Sequence, residues 1–508
     1  MNEQTVFSAP AGRWRNLLRG SEFADVFALP EQPLWRRAAC SAAWVFALHL
    51  LEKILTLIRA VVLVRFLLPK DFGLFGICLI AVSALNLFNI HGLRGALIQK
   101  HDDSRRDLDT VWSILLTQNC LNAGLLLAFA PPIARFFQEP GAVGLIRAFS
   151  VALLLEALVN IGSIHFEKRL LFHKQFAFLL SGAAVEFIVA VGLAVAYRTV
   201  WALVAGAIAG KAARLLASYM LQDFRPALRF KWHNFRALFR IHPAMGVSTV
   251  LWFVLLEGDN IFVGRVLGIA ALGFYSIAWS LASLTRSNIG VVLQRFAFSS
   301  FASIPSDPAE LRNGYLKLWR GTAICVVPVS VGLAALAPEI VSVLLGPRWI
   351  IAIPILGILA LLGALHVLLG NAEMLLRAMG NQRRAIIAEI IFVIVAAALV
   401  APLTAKFQLV GVAAAMALGA AAGWIWAERQ VLLGLKISSR ELIYALESSL
   451  AAALLMIAAI YLLRGLFRQP TWLSLLSLVS GAGFMYLATM MAAGFNRRRI
   501  LKAEAAVS

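Results

Sequence analysis

The sequence predicts an all-α, polytopic membrane protein, and three observations lead there. Hydrophobic residues make up 61% of the 508 and charged residues only 14%, against roughly a quarter charged in soluble domains, whose surfaces must face water. The apolar residues fall in runs of about 20, the length a helix needs to cross a hydrocarbon core. Basic residues gather in alternate connections between those runs, the pattern that sets the orientation of membrane helices.

Residues 1–37 are mixed polar and carry Arg13, Arg15, Arg19, Arg36 and Arg37. They are expected to be a cytoplasmic tail, because the first apolar run starts near Ala38 and is too long for the core of a cleaved signal. Runs then follow at 38–66, 72–97, 108–130, 142–163, 175–197, 199–221, 241–264, 272–298, 316–345, 350–378, 385–405, 408–430, 442–464 and 471–494. That makes about fourteen spans. The base-rich connections include Arg105 and Arg106, Lys168 and Arg169, Arg225 to Arg240, Arg383 and Arg384, and Arg497 to Lys502. They fall on one side with the tail, so both termini are expected in the cytoplasm.

The second half repeats the first. Arg65 and Arg265, Leu67 and Leu267, Gly73 and Gly273, and Ile77 and Ile277 share one offset of 200, with Phe75 opposite Tyr275. The expected organisation is a lobe of six helices at 38–222, a basic linker at 223–240 and a second six-helix lobe at 241–434. An accessory pair at 435–494 and a cytoplasmic tail at 495–508 complete it. The lobes are parallel repeats, as transporter halves often are.

Composition and motifs narrow the function. The net charge of +20 sits in short loops between spans, which points to membrane orientation and lipid headgroups and away from nucleic acid. Cys40, Cys78, Cys120 and Cys325 lie inside apolar runs without metal-ligand spacing. There is no GxxxxGK[ST] phosphate loop and no Ser/His/Asp or Cys/His set on a loop. A non-enzymatic transporter is expected, with a membrane glycosyltransferase or polymerase as the alternative from another class.

Three segments carry a resemblance. Residues 65–75 (RFLLPKDFGLF) resemble the first-to-second-span turn of bacterial polysaccharide-transporter flippases. Residues 259–268 (DNIFVGRVLG) with 273–278 (GFYSIA) resemble that family's seventh-span signature, and 376–383 (LRAMGNQR) its tenth-to-eleventh loop. The family belongs to the multidrug, oligosaccharidyl-lipid and polysaccharide exporter superfamily. The resemblance covers about residues 38–494. It implies two six-helix lobes around a cavity, alternating access, and a polyprenyl-diphosphate-linked oligosaccharide moved to the periplasmic leaflet of a bacterial inner membrane. A multidrug exporter or a peptidoglycan-precursor flippase shares the fold and remains the alternative. Membrane lipids and other polysaccharide-assembly proteins are the further partners expected, and no cofactor or metal is, with proton or sodium coupling left open.

Ionisable groups inside spans cost about 2.5–3.5 kcal/mol each at the bilayer centre, so they should face a cavity or a partner. His49, Glu52, Thr56 and Arg59 share one face of the first span. They form either a wet wall, with Arg59 on the substrate diphosphate, or a cluster that only holds helices together. Lys211 and Arg214 share a face of the sixth span, where they guide an anion or snorkel. Glu156, Asn160 and Ser163 stripe the fourth span, and His366, Gly370, Glu373 and Arg377 the tenth. Substrate binding is therefore assigned to Arg59, Lys211, Arg214, Arg377, Glu52 and Asn160. Coupling or gating is assigned to Asp259, His366, Glu373 and Glu156, with Asp259 either a protonatable or cation-binding carboxylate or one end of an Asp259–Arg59 bridge that closes a gate between the lobes, the two being compatible in different states. Glu186 and Glu389 are isolated carboxylates available to the bases. Arg65, near the outer end, can snorkel to headgroups and is expected to be structural, and Glu428 is expected to be solvated near the inner surface.

Overall fold

A computed structural model describes residues 51–52, 54–87, 97, 105–168, 171–228, 243–285, 290, 308–467 and 469–507. The N-terminal tail, His49 and linker residues 229–240 lie outside the described residues. Within them the chain is helical, with no strand.

The helices are α1 (residues 54–66), α2 (Pro69–Asn86), α3 (Arg105–Phe136), α4 (Ala142–Ala157), α5 (Phe172–Tyr197), α6 (Trp201–Leu221), α7 (Pro243–Phe262), α8 (Ile269–Leu284), α9 (Pro308–Ala335) and α10 (Ala352–Ala378). The element Gln382–Leu435 has 54 residues, about 81 Å of continuous helix against a core of about 30 Å. It is broken at Gln408 (φ 50°, ψ −127°) into α11 (382–407) and α12 (409–435). Helices α13 (Ser439–Arg464) and α14 (Trp472–Val507) follow. Each of the fourteen expected runs therefore contains a helix. Among the described residues nine are by themselves long and apolar enough to span, or ten if α4 is joined to Ile161–Lys168 across a 66° bend.

The packing repeats. In the first half α2 and α6 both lie on α4, with α3 beside α4 and α5 beside α6; in the second α8 packs on α10, α9 beside α10 and α11 beside α12. Small residues let the paired backbones approach: Gly206 meets Ala190 across α5–α6, and Gly419 meets Ala396 across α11–α12. The accessory pair docks through α13 on α9. There Arg312 pairs with Glu441 at 2.5 Å, and Arg464 Nε lies 2.6 Å from Glu339 Oε1.

The halves meet across α2 and α8, at the end whose connections are poor in bases. A side chain at Gly73 would place its Cβ 1.9 Å from Ile269 O, and one at Gly273 1.8 Å from Pro69 O. These are one contact made twice, at the offset of 200 already visible in the sequence. Trp349 is fully buried there, edge-on to Phe72 of one half and Phe274 of the other, each at 5.5 Å. Its Nε1–H donates to Val64 O at 3.3 Å.

Arg65, although exposed, is tied to the protein. Its Nε donates to Leu344 O at 3.2 Å and its Nη2 to Val343 O. Both carbonyls belong to the π-helical turn Val341–Leu345, whose last carbonyls lack partners in their own helix. Arg265, its repeat equivalent, lies over Phe136 of the first half at 5.5 Å. Arg65→Met leaves those carbonyls orphaned and is expected to cost ~2 kcal/mol, read as a lower thermal-unfolding midpoint in detergent.

Candidate functional site

Helices α1 to α6 enclose a cavity of about 660 Å³, within the range of small-ligand sites. Arg59 comes from α1, Asn86 from α2, Asn119 from α3, Glu156 from α4, Glu186 from α5, and Lys211 and Arg214 from α6. Phe75, Trp112 and Phe149 supply an aromatic part of the wall.

Each base holds one carboxylate across a helix boundary. Arg59 pairs with Glu186, Lys211 Nζ lies 2.7 Å from Glu156 Oε2, and Arg214 Nη2 lies 3.1 Å from Glu52 Oε1. Two glycines make room for these chains. A Cβ at Gly182 on α5 would fall 2.4 Å from Arg214 Cγ, and one at Gly210 on α6 would fall 2.8 Å from Glu186 Cβ. Three bases and three acids leave the set electrically neutral, which lowers the cost of carrying charges inside the membrane.

Asn160 also lines the cavity, but its polar atoms brace the backbone. Oδ1 accepts from Gly162 N–H at 2.9 Å, Nδ2 donates to Phe224 O at 2.5 Å, and its own N–H donates to Ser218 Oγ at 3.1 Å. It pins the bend after α4 to the chain leaving α6.

The structure thus gathers Arg59, Lys211, Arg214, Glu52, Glu156 and Asn160 into one half. The other candidates stand elsewhere. Arg377 Nη2 lies 2.6 Å from Glu389 Oε1 and 3.6 Å from Glu373 Oε2, an exposed guanidinium over two buried carboxylates of α10 and α11. His366 is buried with its Nδ1 3.1 Å from Leu362 O, and packs against Trp279 and Phe392.

Asp259 is buried and accepts from Tyr275 Oη at 2.8 Å and from Asn260 N–H at 2.8 Å. Arg59 is paired with Glu186, so in this conformation no Asp259–Arg59 bridge forms and each group has a separate partner. Glu428 is not solvated: it is 4% exposed and accepts from Tyr315 Oη at 2.8 Å and Trp319 Nε1 at 3.1 Å. Asn86 and Asn119 line the cavity without lying on any candidate stripe; an amide within an apolar run is the signal that finds them.

The family described as polysaccharide biosynthesis protein matches residues 62–354. The succinoglycan biosynthesis transport protein ExoT of Rhizobium meliloti (strain 1021) is 27% identical over 301 residues, 59% of this chain and 61% of that protein. The lipopolysaccharide biosynthesis protein WzxC of Escherichia coli (strain K12) is 22% identical over 314 residues, 61% and 64% of the respective chains. These matches span less than two thirds of either relative. Among solved structures, the lipid II flippase MurJ in an inward closed conformation superposes with a TM-score of 0.72 at 15% identity, covering 90% of this chain and 99% of that one. An inward-facing transporter of the multidrug resistance MATE family, of the MOP superfamily, gives 0.59 at 14% identity, over 76% and 96%. The fold is that of these membrane transporters.

Proposed function

Because the chain belongs to the family of polysaccharide biosynthesis proteins, we propose that it is a flippase for polyprenyl-diphosphate-linked oligosaccharide. It would move this lipid from the cytoplasmic to the periplasmic leaflet of a bacterial inner membrane by alternating access, with both termini in the cytoplasm. The observation that carries the reading is the set of three bases, Arg59, Lys211 and Arg214, on the wall of one cavity. Guanidinium and ammonium groups on one wall suit the oxygens of a diphosphate through charge-assisted hydrogen bonds. The amides of Asn86 and Asn119 suit sugar hydroxyls. Support also comes from the relatives, which are named for succinoglycan transport and lipopolysaccharide biosynthesis. Turnover would need no cofactor and would draw on a proton or sodium gradient.

The test is Arg59→Gln, which keeps a hydrogen-bonding chain and removes the charge. Flipping of polyprenyl-diphosphate-linked sugar in proteoliposomes is expected to fall at least about tenfold, one charged hydrogen bond being worth ~1.5–3 kcal/mol, with protein still in the membrane. Undiminished flipping refutes the assignment. Deletion of the gene separates the lipid-precursor readings: loss of surface glycan supports this one, whereas arrested peptidoglycan synthesis points to the peptidoglycan precursor.

A further inference from the structure

Five ion pairs within the membrane helices and their ends differ in how far their acids are sealed. Beside Arg377, itself 41% exposed, the Glu389 side chain is 0% exposed, and beside Arg464, itself 31% exposed, the Glu339 side chain is 7% exposed. At the cavity the acids are more open: Glu186 and Glu156, on its wall, are 27% and 50% exposed, and Glu52, which holds Arg214 from outside the lining, is 27% exposed, with their bases at 25–32%. Water-accessible pairs contribute little net stability and separate readily, whereas sealed ones do not. All three open pairs have their base on the wall of one cavity, and each joins separate segments: α1 to α5, α4 to α6, and α6 to Glu52 ahead of α1.

We propose that Glu52, Glu156 and Glu186 are resident stand-ins for the anionic head of the substrate. They neutralise the bases of the empty cavity, yield them when the diphosphate enters, and reclaim them when it departs. This rests on the reading of the cavity as a diphosphate-lipid site.

Three bare cations would be costly inside the membrane and would hold a diphosphate too firmly to let it go. With the glutamates present, each base exchanges one carboxylate oxygen for one phosphate oxygen, so binding and release are both near balance. The apparent affinity is then the intrinsic one reduced by the fraction of time in which the bases are unpaired. Glu156 is the most accessible of the three, and its base Lys211 is a point charge with three rotatable donors rather than a planar fork. It is therefore the first pair to open. Glu186 is the last, held along α6 by the space that Gly210 leaves.

The test uses the purified full chain and radiolabelled polyprenyl diphosphate without sugar. Glu156→Gln and, independently, Glu186→Gln are expected to bind this lipid about five- to tenfold tighter than the unmodified protein. The same variants should flip it several-fold more slowly in proteoliposomes, because release becomes limiting. Glu156→Asp, which keeps the charge, is expected to bind more weakly than Glu156→Gln.

Glutamine variants that bind no tighter overturn the proposal, as would be seen if the pairs only hold helices together. If the unmodified protein binds the lipid, and Arg59→Gln removes that binding, such a result leaves the flippase reading standing. If the unmodified protein does not bind it, both readings fall together.

Discussion

Gly73→Ala and Gly273→Ala are each expected to abolish flipping while leaving the protein inserted. The added methyl at 73 would sit 1.9 Å from Ile269 O and that at 273 would sit 1.8 Å from Pro69 O. A comfortable carbon-to-carbonyl approach is about 3.3 Å, so α2 and α8 must part by roughly 1.4 Å. The obstacle is backbone, which cannot rotate aside as a side chain does. Separation also withdraws Phe72 and Phe274 from Trp349, which fills the space between them. Overpacking of this kind costs about 1–3 kcal/mol or more, enough to shift the closed population by one to two decades. Flipping in proteoliposomes, with cysteine labelling of the α2–α8 seam, measures both. The double variant should be less than twice as damaging, because helices parted for one methyl already accommodate the other. Normal flipping by either single variant would refute this role for the crossing.

Arg377→Met is expected to destabilise the protein by ~1–3 kcal/mol, the guanidinium itself being 41% exposed. The guanidinium sits between Glu389 and Glu373, whose side chains are 0% and 3% exposed, and its removal leaves two buried carboxylates facing one another without a cation. A buried, unpaired charge is the costly state, far more so than no charge at all. Adding Glu389→Gln to Arg377→Met should therefore recover a large part of the loss. Thermal unfolding in detergent of the single and double variants reads this directly, and a single variant as stable as the parent would contradict it.

Much of the architecture was legible in the sequence because a bilayer imposes it. The twenty-residue runs and the alternation of basic loops located a helix in every expected run. The offset of 200 anticipated the paired glycines at 73 and 273, although not that they touch across the seam. The stripe on the first span was legible in part, since Arg59 lines the cavity and Glu52 holds Arg214 on its wall. Partner choice was not. Helical periodicity states which residues face the same way and is silent on which neighbour they face, so it left Arg59 open to Glu186 and to Asp259 alike. Depth misled in the same manner. Glu428 lies near a helix end, where water is usually within reach, yet it is buried and engaged by Tyr315 and Trp319. Nor could the sequence tell that the two halves, so alike in packing, differ in content: ion pairs open to a cavity in the first, and buried carboxylates in the second.

The ion pairs between distant helices also bear on how the chain is made. Glu52 and its partner Arg214 are 162 residues apart, and at about 5–20 residues per second of synthesis the glutamate is made roughly 8–30 s before the arginine. Arg59 likewise precedes Glu186. During that interval the first helix carries both charges without their eventual partners, and it must remain beside the insertion machinery, or adjust its depth, until α5 and α6 arrive. Ribosome-bound chains truncated before α6 should therefore crosslink to the insertion channel through α1, and chains extended past Leu221 should release it.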